Sequence, residues 1–306
     1  MNLNEEIRCE YLVDKKRKGI WKTQIDMLLK LLEVCEKYDI KIFAVAGTML
    51  GAVRHQGYIP WDDDVDMAMK REDFDRLMEV GASEFQEPYF LQTTLNEDDY
   101  YSPLMRLRDS RTTAIIQSGS HNDWGKNCNN GIYIDIFHLD GLTDSSFLRK
   151  KQFFEIRLIN MLLRERVYVE TGAHFATLRH RLLHALIGNP QKKWLYQRYN
   201  KICAKYSYKT DKVALLAGSV YNKAYYWNFD DINEVVWVPF EDISIPIPQG
   251  YQRCLEIQYG NYMELPPVEK RGAHHLEAVT FDPFIDYKTF MKTHHSDGSS
   301  VEKGDA

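Results

Sequence analysis

Apolar residues at Trp21, Ile25, Leu28, Leu32 and Cys35 recur every three or four positions, which predicts an amphipathic helix near the N-terminus. The next apolar run, IKIFAVAG (Ile40 to Gly47), is continuous, β-rich and closed by a glycine, so it predicts a buried strand. TMLGAVRHQG then has helical character, with Thr48 placed to cap its start and Gly57 to mark its end. Val65, Met67 and Met69 alternate with Asp64, Asp66 and Ala68, the pattern of a half-buried strand. REDFDRLMEV predicts a helix that is acidic in its first turn and carries Phe74, Leu77 and Met78 on one face. A second alternating stretch, GIYIDIFHLDG, sets Ile132, Ile134 and Ile136 on one side and Tyr133, Asp135 and Phe137 on the other. Strands mixed with helices predict an α+β core over residues 1–146.

Residues 147–212 change character. FFEIRLINMLLRERV, LRHRLLHALIG and KKWLYQRYNKICAKY read as helices, and between 147 and 205 thirteen Lys/Arg face three Glu. That is a local charge of +10 in a chain whose net charge is −5, leaving −15 elsewhere. Solvated helix faces would explain it, and so would a surface that meets a phosphate-rich polymer or a membrane interface. Residues 213–290 return to mixed character, rich in Pro, Gly and Tyr, and predict a segment that completes the site with a lid-like loop. The polar stretch 291–306 predicts a disordered tail.

Composition narrows the classes. The chain has 306 residues, 44% of them apolar, enough for a substantial core. With 39 basic and 44 acidic residues, nothing points to nucleic acid as the main partner. No stretch approaches the ~20 apolar residues of a membrane span, and the polar N-terminus lacks a signal-peptide core, so a cytoplasmic location is expected. Five scattered cysteines without a C-x-x-C pair fit a reduced protein with neither disulfides nor structural zinc.

The sharpest feature is WDDDVD, which places Asp62, Asp63, Asp64 and Asp66 within five positions. A solvated turn is the plainest explanation. An EF-hand-like calcium loop would use Asp62, Asp64, Asp66 and Asp73, but its obligatory glycine position holds Met67. A divalent-metal site on a strand is the third explanation. Asp64 and Asp66, two apart, project from one face, and Asp135 among Ile and Phe on a neighbouring strand is the natural third acid. Just upstream, Gly47 and Thr48 join a strand to a helix start, where backbone N–H groups suit an anion.

AGTMLGAVRHQGYIPWDDDVDMAMKREDFDRL, YIDIFHLDGL and YGNYMELPPVEKRGAHH, in that order, resemble the LicD family, which includes fukutin and fukutin-related protein. The resemblance implies a nucleotidyltransferase-like mixed sheet with flanking helices, here with a basic helical insertion. It implies Mg2+ (or Mn2+) and attack by a glycan hydroxyl on CDP-choline or another CDP-alcohol, releasing CMP. Teichoic acid, lipopolysaccharide and capsule precursors are the acceptor classes, and a lipid-linked acceptor would bring the 147–205 region to the inner membrane face. Gly47 and Thr48 match the phosphate-facing turn. Asp64 and Asp66 match the metal pair, and Asp135 the third acid, as ligand or as base, with Asp62 the second candidate base. Arg54, His55, Arg108, Lys270 and Arg271 are the candidate partners of the diphosphate. Trp61, Trp124 and Tyr133 are near enough in sequence to offer a ring to choline. The same acids would serve a nucleotidyltransferase that moves a nucleotide from an NTP. His138 stands where the family often has proline.

Overall fold

Alternation along GIYIDIFHLDG becomes the central strand of the molecule. The computed structural model describes residues 1–118, 121–122, 126–170, 191–206, 210–216, 226–272 and 279–295. A short hairpin, β1 (Glu6–Arg8) and β2 (Tyr11–Val13), leads into helix α1 (Lys15–Lys37), whose start is capped by Asp14 accepting from Arg17 N at 2.7 Å. β3 (Ile42–Ala44) is the predicted buried strand, and α2 (Ala46–His55) follows it. Thr48 does not cap α2. The helix begins two residues earlier, after Val45, and ends at Gln56 in the left-handed conformation (φ 52) rather than at Gly57.

β4 (Asp66–Lys70) and α3 (Arg71–Glu84) come next, then β5 (Tyr89–Gln92), β6 (Met105–Asp109), β7 (Thr113–Ser118), β8 (His121–Asn122) and β9 (Ile132–Gly141). Ile132, Ile134 and Ile136 are fully buried while Tyr133, Asp135 and Phe137 are half-buried, as the alternation predicts. β9 pairs in parallel with β4, Asp66 standing opposite Asp135. Along its other edge it pairs antiparallel with β6, Arg106 standing opposite Asp135. β3 extends the sheet beyond β4, and β5 pairs with β6. At its far end β9 also pairs with β10 (Lys212–Ala214), which carries β11 (Tyr226–Asn228). The result, among the described residues, is a mixed sheet of seven strands, in an α+β core of the kind that the sequence predicts.

Two helices, α4 (Ser146–Glu170) and α5 (Lys192–Cys203), form the described part of the basic segment. They make a second core from Phe153, Ile156, Ile159 and Leu163 with Leu195, Tyr199 and Ile202. LRHRLLHALIG lies outside the described residues. A buried network ties these helices to the sheet. Arg71 donates to both carboxylate oxygens of Asp140 at 2.9 and 2.7 Å, and His138 Nδ1 lies 2.7 Å from the same carboxylate. His138 Nδ1 also lies 2.6 Å from Arg71 Nη2, and its Nε2 lies 3.4 Å from Tyr199 Oη, so the imidazole is held between α3, β9 and α5. Burial and Arg71 pull the His138 imidazole down to about 4.

The chain continues through α6 (Phe229–Asn233), the hairpin β12 (Val235–Phe240) and β13 (Ile243–Pro248), α7 (Tyr251–Tyr259), β14 (Val279–Asp282) and α8 (Tyr287–His295). α8 runs five residues into the stretch expected to be a disordered tail, because Phe290 supplies it with a buried anchor. Among the described residues no helix is long and apolar enough to cross a membrane.

Candidate active site

The aspartates are held by their backbone. From Trp61 to Met67 the chain alternates: Asp62, Asp64 and Asp66 are half-buried, while Asp63, Val65 and Met67 are buried. Asp62, Asp64 and Asp66 therefore share one side of an extended segment. Only Asp66 lies inside β4, yet the pairing with β9 continues upstream, since Asp135 N donates to Val65 O at 3.0 Å.

One stripe of α1 fixes this segment. Arg17, Trp21 and Gln24, spaced four and three apart, donate to the carbonyl of Asp62 (2.8 and 3.0 Å) and that of Asp63 (2.8 Å). Trp21 thus belongs both to the predicted apolar stripe and to the site. Arg17 and Gln24 were not singled out from the sequence; their spacing from Trp21 is the signal that could have found them. Asp63, on the opposite side, is 1% exposed and belongs to the core side of the segment.

The Gly47–Thr48 turn docks on the same segment. Thr48 Oγ1 accepts from Asp66 N at 2.8 Å, and Val45 N donates to Asp66 O at 3.0 Å. A side chain at Gly47 would place its Cβ 2.6 Å from Asp62 Oδ2. Glycine here lets a carboxylate lie against the first turn of α2, where the helix dipole favours negative charge.

Electrostatics sets the acids apart. The Asp64 carboxyl is pushed well above the usual carboxylate range, first by burial and then by Asp62, Asp66 and Asp63, and it shares a hydrogen bond with Asp62. A cation beside it would favour its charged form. Among the described residues no three His, Cys, Asp or Glu side chains converge as a ready-made ion cage. Mg2+ does not require one, because it is commonly held by one or two carboxylates with substrate phosphates and water completing the shell. The hard oxygen donors of Asp64 and Asp66, destabilised by mutual repulsion, fit that ion.

Asp135 faces a different partner. Its Oδ1 accepts from Arg106 Nε at 2.7 Å, directly across the β6–β9 pair. Burial works against the Arg106 charge, but Asp135 and Tyr133 outweigh it and hold the guanidinium well above its ordinary value. Asp66, Asp135 and Arg106 therefore form a row across three adjacent strands. Arg106 was missed in the sequence, where Arg108 was named instead. Arg108 is 1% exposed, and its Nε and a terminal nitrogen go to Gln92 Oε1 and Gly131 O, both at 2.6 Å. Both guanidiniums lie over the Tyr133 ring, at 4.0 Å for Arg106 and 4.8 Å for Arg108. MRLRD puts Arg106 and Arg108 on one face, so alternation alone could not rank them.

The remaining candidates gather around the far end of α2. Arg54 donates to Tyr262 O and Glu264 O at 3.0 and 3.2 Å and to His55 Nε2 at 2.9 Å. Burial, with Arg54 and Arg8 nearby, lowers His55 to about 4. Arg271 donates to Pro266 O (2.8 Å) and Cys9 O (3.0 Å), and its guanidinium lies over Trp61. Lys270 is exposed at the end of a short turn, Val268–Lys270. An open cavity of about 490 Å³ lies here, lined by Arg54, Trp61, Tyr259, Tyr262, Glu264 and Pro266 among others. Its lining residue Trp61 is the chain neighbour of Asp62, the first of the aspartates. Trp124, His274 and His275 lie outside the described residues.

The stretch that carries this geometry is also the one that a known family matches. Residues 39–157 match the family described as LicD/FKTN/FKRP, nucleotidyltransferase domain. The matched stretch runs from β3 into α4 and contains the whole carboxylate row, and the chain is an enzyme of the transferase class. Over 261 residues, 80% of this chain and 90% of the relative, the sequence is 28% identical to the lipopolysaccharide cholinephosphotransferase LicD of Haemophilus influenzae. Shorter matches link it to uncharacterised proteins of Rickettsia prowazekii (48% over 48 residues, 16% of this chain and 18% of that protein) and Rickettsia typhi (54% over 41 residues, 13% of each).

Proposed function

We propose that the protein transfers phosphocholine, or a closely related phosphoalcohol, from a CDP-alcohol to a sugar hydroxyl of a lipopolysaccharide-type glycan, releasing CMP. The observation that carries this reading is similarity to a lipopolysaccharide cholinephosphotransferase along 80% of the chain, a span that takes in elements on both sides of the carboxylate row. Asp64 and Asp66 are the residues that would hold Mg2+, which when bound would neutralise charge on the transferring phosphoryl group. The rest of the work falls to the chain. The Gly47–Thr48 turn orders the start of β4 and brings α2's N-terminus against Asp62. Arg106 fixes one oxygen of Asp135, leaving the other for the acceptor hydroxyl, with Asp135 as the base and Asp62 as the second candidate. Arg54 and Arg271 set the 259–271 segment beside Trp61, and Lys270 supplies an exposed cation there for the diphosphate.

The experiment is a release assay with Mg2+, a lipopolysaccharide-type acceptor and a panel of CDP-choline, CDP-ethanolamine, CDP-ribitol, CDP-glycerol and CTP. CMP formed from CDP-choline only when acceptor is present is the expected result. Pyrophosphate formed from CTP would replace this reading with nucleotidyl transfer. Asp135→Asn and Asp62→Asn separate the two candidate bases: loss of the true base lowers the rate by about 10²–10⁴.

A further inference from the structure

The outer faces of α4 and α5 carry side chains that the fold does not use. On α4, Phe147, Lys150, Lys151 and Phe154 follow one another at three- and four-residue spacing and so form a single stripe. Phe147 is 74% exposed and Phe154 64%. On α5, Trp194, Arg198 and Lys201 form a second exposed stripe, with Trp194 53% exposed and Lys193 beside it. The inner faces already form a complete core through Phe153, Ile156 and Ile159 with Leu195, Tyr199 and Ile202, so the outer aromatics are not needed for packing. α5 contains no acidic residue at all.

We infer that this face docks on an anionic lipid bilayer, with Phe147, Phe154 and Trp194 entering the headgroup region and the interleaved Lys and Arg side chains meeting lipid phosphates. Aromatic rings mixed with cations on helix faces are what an interfacial surface requires. A second copy of this chain does not suit it, because identical stripes would bring like charges together. A polyanionic glycan would use the cations and leave the three rings without a role. The inference is separate from the transfer reaction proposed above, since docking needs neither donor nor acceptor.

The test is sedimentation of the full chain with vesicles of phosphatidylcholine alone or mixed with phosphatidylglycerol, at about 0.1 M salt. Binding to the anionic vesicles and not to the neutral ones is expected, falling as salt screens the charges. Phe147→Ser/Phe154→Ser/Trp194→Ser should weaken partitioning at least about tenfold. Lys150→Gln/Lys151→Gln/Arg198→Gln/Lys201→Gln should weaken it by roughly a hundredfold or more. All seven positions are exposed, and unchanged thermal melts with unchanged turnover of a short water-soluble acceptor would show that both variants stay folded. Failure of the wild type to bind anionic vesicles, or binding that both variants retain, overturns the inference. So does binding in which only the cations matter and a soluble polyanion such as heparin competes equally for wild type and ring variant, since that surface would recognise a polymer.

Discussion

Asp64 illustrates at the scale of one residue how a site can cost stability and still be kept. Its carboxyl is crowded by Asp62, Asp66 and Asp63 in a segment clamped by α1, so ionising it without a counter-cation is unfavourable. Asp64→Asn should therefore act with opposite signs on two measurements. In the presence of EDTA the variant should unfold at a higher urea concentration than wild type, by about 1 kcal/mol. With Mg2+ and substrates its CMP release should fall by roughly a thousandfold. A variant less stable than wild type in EDTA would mean that the like-charge crowding is relieved within the chain itself. Asp63 behaves differently because it points away from the other three. Read from the sequence it is the aspartate expected to tolerate replacement best. Its burial reverses that, and Asp63→Ala should cost about 1–3 kcal/mol of stability while leaving KM for the donor unchanged.

At the scale of elements, two devices set β4 and β9, and the sequence disclosed them unequally. The periodicity of Ile132, Ile134 and Ile136, the spacing of Asp64 and Asp66, and the stripe at Trp21, Ile25 and Leu28 were legible because each is a local repeat that burial enforces. The network of Arg71, Asp140, His138 and Tyr199 was not, because its members come from α3, β9 and α5 and meet only when the chain folds. The pairing of Arg106 rather than Arg108 with Asp135 was hidden for the same reason: it depends on strand register. Breaking the network should be severe. Arg71→Leu leaves Asp140 charged and buried, and should lower stability by about 3–5 kcal/mol in urea unfolding at pH 7. Its histidine also sets a pH dependence. His138 is held to about 4 in the fold, against an ordinary value near 6.5, so between those values the unfolded chain binds a proton that the folded one does not. The stability gained by keeping His138 neutral is full above about pH 6.5 and is lost as pH falls toward 4, at up to about 1.4 kcal/mol per pH unit. His55, lowered to about 4, adds in the same direction. His138→Gln should flatten the stability curve by roughly that slope near pH 5, whatever it does to stability at pH 7. An unchanged slope would mean that the imidazole is already charged in the folded protein.

At the scale of the molecule, the site is assembled from segments far apart in the chain: α1, the turn into α2, the aspartate segment, β6, β9 and the stretch 259–271. Among the described residues, those beyond Gly250 contribute no carboxylate to the row, and Arg54 of α2 ties the 259–271 stretch to the rest of the site. Arg54, in that helix's last turn, holds the carbonyls of Tyr262 and Glu264, while Arg271 crosses to Cys9 and covers Trp61. α2 thus touches Asp62 at one end and the cavity wall at the other, about 10 Å apart for the seven residue steps from Gly47 to Arg54. A donor that spans metal and cavity would make contact with both ends of this one helix. Arg54→Ala should release the 259–271 segment without disturbing β4 or β9. The expected result is faster amide hydrogen exchange confined to 259–271, a KM for the CDP-alcohol raised about tenfold or more, and a smaller change in kcat. Adding CDP-choline with Mg2+ should slow exchange in the same stretch in wild type and much less in Arg54→Ala. Protection confined to residues 62–66 would place the donor at the carboxylates alone and leave the cavity to another ligand.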